Sequence, residues 1–125
     1  MFIIKYTNFG GDHMCTKNEL NSIIDAVVIG AKELLGNRLD SVILYGSYAR
    51  GDYDDESDID IMVIINGSPD DLKQFRKSLV DIASDLSLKY DITVSLLLFD
   101  SDTFSKYKNA MPFLVNVQKD GVKVA

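Results

Sequence analysis

A chain of 125 residues, 46% of them apolar, is expected to form one small domain around one core, without a second substrate-binding domain. Its 19 acidic and 13 basic residues give a net charge of -6, which argues against direct nucleic-acid binding, since that needs a basic surface. With one cysteine, Cys15, and one histidine, His13, neither a disulfide framework nor a Cys/His zinc site can be built within one chain.

Residues 1–15, including Gly10-Gly11-Asp12-His13 just before Met14, read as an N-terminal arm or a short extra strand, and residues 16–125 as the domain proper. No stretch is long and apolar enough to span a bilayer and no signal core follows a basic start, so no membrane association and a cytoplasmic location are expected. Thr16 and Glu19 fit a capping box, and the apolar spacing from Leu20 to Leu35 predicts a helix over about 17–35, stopped by Gly36-Asn37. Ser41 to Tyr45 predicts a short strand ending at Gly46-Ser47, after which Tyr48-Ala49-Arg50 could open a helical turn. A second strand is predicted from Ile59 to Ile65, closed by Asn66-Gly67. Ser68-Pro69-Asp70-Asp71 is a helix start, and its apolar stripe carries the helix to about Leu88. A strand over Ile92 to Phe99 follows, then a helix over 102–109, which Pro112 divides from a short piece around 113–118. Asp120-Gly121 turns the chain into a last short strand. This order predicts an α/β (α+β) domain, a small mixed sheet packed with helices.

The chemistry concentrates between two of these strands. Asp52, Asp54, Asp55, Glu56, Asp58 and Asp60 crowd one short segment, and like charges this dense need solvent or a cation. Taken alone, this is an acidic surface loop. Asp58 and Asp60, however, run straight into an apolar strand, and residues two apart on a strand point the same way. Two carboxylates on one face suit Mg²⁺, which binds few carboxylates together with substrate phosphates. Upstream, Gly46 permits close approach of a phosphate to the backbone, and Ser47 adds a hydroxyl donor. Arg50 is placed to reach a phosphate or to tie down the acidic loop.

The pattern Gly46-Ser47, ten residues, Asp58-Ile59-Asp60 resembles the nucleotidyltransferase superfamily that includes DNA polymerase beta and kanamycin nucleotidyltransferase. The longer runs, Tyr45 to Gly51 and Glu56 to Asp60, are similar to its minimal stand-alone members, many of them antitoxin partners of small helical toxins. The resemblance implies a nucleotidyltransferase fold, Mg²⁺ held by Asp58 and Asp60, and ATP as co-substrate on Gly46, Ser47 and Arg50. It also implies a third catalytic, metal-binding carboxylate on a neighbouring strand, for which Asp91 is the candidate; if the register lies further along, Thr93 or Ser95 takes that place. The implied activity is transfer of AMP to a hydroxyl of a separate protein partner, a toxin that is thereby silenced. Two alternatives stay open: a noncatalytic antitoxin acting by contact, and an aminoglycoside nucleotidyltransferase completed as a homo-oligomer or by another protein.

Overall fold

The computed structural model describes residues 2–6 and 15–125; His13 and the Gly10 to Met14 segment lie outside the described residues. Among the described residues five strands form one sheet in the order β1-β4-β3-β2-β5: β1 is Phe2–Tyr6, β2 Leu39–Tyr45, β3 Ile59–Ile65, β4 Val94–Asp100 and β5 Val122–Lys123. β3 and β4 run parallel, while the β1–β4, β2–β3 and β2–β5 pairs are antiparallel, so the sheet is mixed as expected. Between the strands lie helices α1 Lys17–Leu35, α2 Ser47–Arg50, α3 Arg76–Tyr90, α4 Ser101–Tyr107 and α5 Pro112–Asp120. Among the described residues no helix is long and apolar enough to cross a membrane.

Strand alternation lets this short chain cover both sheet faces. Ile59, Ile61, Val63 and Ile65 point to one side, where Val27 and Ala31 of α1 and Leu79 and Ala83 of α3 complete the larger core. Met62 and Ile64 point to the other, against Leu97, Phe99, and Leu114 and Val117 of α5. Burying both faces explains the continuous apolar runs of β3 and β4.

Helix α1 begins at the predicted box: the Glu19 amide donates to Thr16 Oγ1 and the Thr16 amide to Glu19 Oε1, both at 3.1 Å. The helix expected from Ser68 to Leu88 is instead a 3₁₀ segment, Pro69–Phe75, followed by α3. Asp71 accepts from the Ser68 amide at 2.8 Å. An aspartate is one methylene shorter than the glutamate common at this position, so it reaches back from a tighter turn. That amide, then the Arg38 guanidinium 2.8 Å away, hold the Asp71 carboxyl below the ordinary carboxylate range. A depressed folded-state pKa contributes stability that is present at neutral pH and is lost as pH falls through the folded value. Asp71→Asn is therefore expected to lower the thermal midpoint at pH 7, with the deficit shrinking as the pH of the melt falls through the depressed folded value.

Two strand starts differ from expectation. β2 begins at Leu39, two residues early, because a bulge between Leu39 and Ser41 lets it pair with Ile65. β4 begins at Val94, two residues late, because Asp91 takes the left-handed conformation, φ 54°, that closes α3. The Asp91 and Ile92 amides both donate to Ser87 O, and the buried Ser87 hydroxyl accepts from the Val94 amide at 3.1 Å.

Candidate nucleotide site

β2 and β3 lie side by side, and their register places Tyr45 opposite Asp60. Asp60 shares the sheet face of Met62 and Ile64, on the side covered by α5. Asp58 stands two residues earlier, at the entrance to β3, where the Ile59 amide donates to Thr93 O at 2.9 Å. Both carboxylates are half-buried, at the N-terminal end of β3, a strand paired on both sides.

Gly46 ends β2 with φ 75°, a conformation L side chains rarely adopt. A Cβ there would collide with Asp60 Oδ2 and would lie 3.3 Å from Asp60 Cγ. Glycine is thus required twice, by its backbone and by the carboxylate lying against it. Ser47 then opens α2; the Ala49 and Arg50 amides both return to Gly46 O at 3.1 Å. Four residues carry little macrodipole, so what this turn offers an anion is its first amides and the Ser47 hydroxyl.

The acidic segment is an organised, exposed loop. Asp54 accepts from the Glu56 amide at 2.9 Å and the Ser57 hydroxyl at 3.1 Å, closing a turn that delivers the chain to Asp58. Tyr53 stacks on Tyr48 with ring centroids 4.3 Å apart, and the Cys15 amide donates to Tyr48 Oη at 3.3 Å. A contact chain therefore runs from the cap of α1 through α2 to the loop. Burial, then the Glu19 charge, push the Cys15 thiol up to about 11, so it is an unreactive core residue. Arg50 pairs with Asp52 at 3.2 Å; both are exposed, and such a pair contributes little stability.

The expected third carboxylate is differently placed. In the parallel pairing of β3 with β4, the residue in register with Asp60 is Ser95, and it is buried. Asp91 lies four residues before it, outside the strand, because its backbone is used to end α3. Among the described residues no group of three His, Cys, Asp or Glu side chains is arranged to hold a metal ion. Two carboxylates with open positions do fit Mg²⁺, whose remaining ligands are water and substrate phosphates, and do not fit a cation needing an all-protein cage.

A cleft of about 220 Å³ opens beside Gly46. Tyr45, Gly46 and Arg50 line it from β2 and α2, and Phe113, Asn116, Val117 and Asp120 from α5. The Tyr45 and Phe113 rings meet edge to face at 5.6 Å. Burial, then the charge of Asp60, hold the Tyr45 hydroxyl protonated well above the ordinary tyrosine range. Sequence reasoning missed the α5 side of this cleft. Its one signal is the spacing of residues 113, 116, 117 and 120, which puts all four on one helix face.

A family model described as a nucleotidyltransferase domain matches residues 24–121. A candidate protein adenylyltransferase of Methanocaldococcus jannaschii is 40% identical over 106 residues, covering 85% of this chain and 99% of that protein. A second from the same organism is 34% identical over 98 residues, covering 78% of this chain and 90% of its own length. Among solved structures, a toxin-antitoxin complex with AMP-PNP matches at TM-score 0.54 and 21% identity, covering 82% of this chain and 72% of that one. A mutant of the toxin-antitoxin MntA-HpeT matches at TM-score 0.52 and 19% identity, with the same coverage of 82% and 72%. At those identities the two structures speak for the fold.

Proposed function

The chain belongs to the nucleotidyltransferase family, as a minimal enzyme domain, and on that premise we propose that it transfers AMP from ATP to a hydroxyl on a partner protein. The observation that carries this reading is the Gly46 backbone closed against the Asp60 carboxylate, with Asp58 two residues away and a cleft alongside. The two archaeal relatives named for protein adenylylation favour a protein acceptor. The toxin-antitoxin complexes of the same fold favour a toxin as that protein, silenced by the modification.

In this reading Ser47 and the first amides of α2 hold the terminal phosphates, and Arg50 offsets their charge from the cleft side. Asp58 and Asp60 would hold Mg²⁺, which would supply Lewis-acid charge neutralisation at the reacting phosphate. The acceptor oxygen forms a bond to the alpha phosphorus, the bond to the bridging oxygen of the beta phosphate breaks, and pyrophosphate leaves. The hydroxyl proton passes to solvent.

The test is a transfer assay with alpha-labelled ATP, Mg²⁺ and the protein encoded beside this chain. Label should move to that protein, and a chelator should abolish the transfer. Tight complex formation without label would favour a contact-only antitoxin. That second reading has its own support in Ser95, which puts no carboxylate opposite Asp60. Asp91→Asn belongs in the same assay: asparagine tolerates the left-handed cap, so a loss as large as that of an Asp60 variant would return Asp91 to the metal set.

A further inference from the structure

We infer that the cleft between β2 and α5 is the purine-base site, and that Asn116 and Asp120 select adenine over guanine. This rests on the AMP-transfer reading above and deepens it by naming the residues that recognise the base.

Position comes first. The cleft shares Gly46 with the carboxylate site, and Tyr45 stands opposite Asp60, so a nucleotide with its phosphates at Gly46 and Ser47 has this space within its own length. Size comes second. At about 220 Å³ the cleft is smaller than the ~300–1,000 Å³ that encloses a whole drug-sized ligand, so it takes one ring system of the nucleotide. Shape and chemistry come third. Tyr45, Phe113 and Val117 supply apolar and aromatic surface for a flat ring, and base stacking on such surface is tolerant of base identity. Discrimination then falls to the polar residues of α5.

Asn116 and Asp120 are four apart on α5, on the same face as Phe113 and Val117. An ionised carboxylate only accepts hydrogen bonds, and a carboxamide both donates and accepts. Adenine presents an exocyclic amine beside ring N7, a donor next to an acceptor, which this pair matches. Guanine presents carbonyl O6 where adenine has its amine. The Asp120 carboxylate accepts from that amine and repels that carbonyl.

The experiment is equilibrium binding of nonhydrolysable ATP and GTP analogues to the full chain with Mg²⁺, comparing the native protein with Asn116→Ala and Asp120→Asn. Asn116 is exposed and Asp120 half-buried at the helix end, so both variants should fold, which thermal melts verify. The native chain should prefer the ATP analogue. Asp120→Asn should reduce that preference about tenfold or more, chiefly by tightening the GTP analogue, because the new amide donates to O6. Asn116→Ala should weaken the ATP analogue. A native chain without preference, or intact binding with a ratio unchanged in Asp120→Asn, overturns the base site while leaving AMP transfer standing. A native chain that binds neither analogue overturns both.

Discussion

Asp60→Asn is expected to lower AMP transfer roughly 10²–10³-fold, the range seen when one preorganised charge-stabilising group is removed. The side chain keeps its shape, so the variant should melt near the native midpoint. The loss comes from charge: the pair of Asp58 and Asp60 falls to one carboxylate, and a cation that relies on few protein ligands is weakly held. A second readout is independent of catalysis. The Asp60 charge contributes to holding the Tyr45 hydroxyl protonated, so in the variant Tyr45 should titrate at lower pH, still above an exposed tyrosine because its burial is unchanged. Undiminished transfer by Asp60→Asn would remove this carboxylate from the mechanism.

Gly46→Ala is expected to fail in two ways. Its positive φ costs an alanine about 1–3 kcal/mol of backbone strain, which a thermal melt reads directly. The new Cβ also drives against Asp60 Oδ2 and must displace the carboxylate, so transfer should fall as far as it does in Asp60→Asn. Gly51 separates the two causes, since it has φ 86° and nothing within 4 Å of its added Cβ. Gly51→Ala should be destabilised while retaining most of its transfer activity. Equal loss of activity in the two glycine variants would show that contact with Asp60 is not the reason.

The fold was largely legible because local signals agreed with one another. The Thr16 and Glu19 box, the Asn66-Gly67 turn and the apolar run of β3 each depend on residues close in sequence. Less legible were features set across the sheet. Whether Asp91 or Ser95 stands beside Asp60 depends on how many residues are consumed in ending α3. That number follows from the Ser87 carbonyl and hydroxyl gathering the amides of residues 91, 92 and 94, which no periodicity announces. The cleft was hidden for a similar reason. Asn116 falls in a short helical piece and Asp120 in the turn expected after it, and neither reads as part of a site until Leu114 and Val117 dock a helix that runs on to Asp120 beside Tyr45.

The place of β3 in the sheet order bears on how variants of this protein are to be interpreted. Asp60 stands between Ile59 and Ile61, both wholly buried, and β3 is flanked by β2 and β4. Scaffold and chemistry therefore occupy adjacent positions of one seven-residue segment. A mutational screen scored by activity alone would rank Ile59 and Ile61 beside Asp60 as essential. Only abundance measured in parallel would reveal that the isoleucines fail because the protein is lost, and the aspartate because the protein persists without its function.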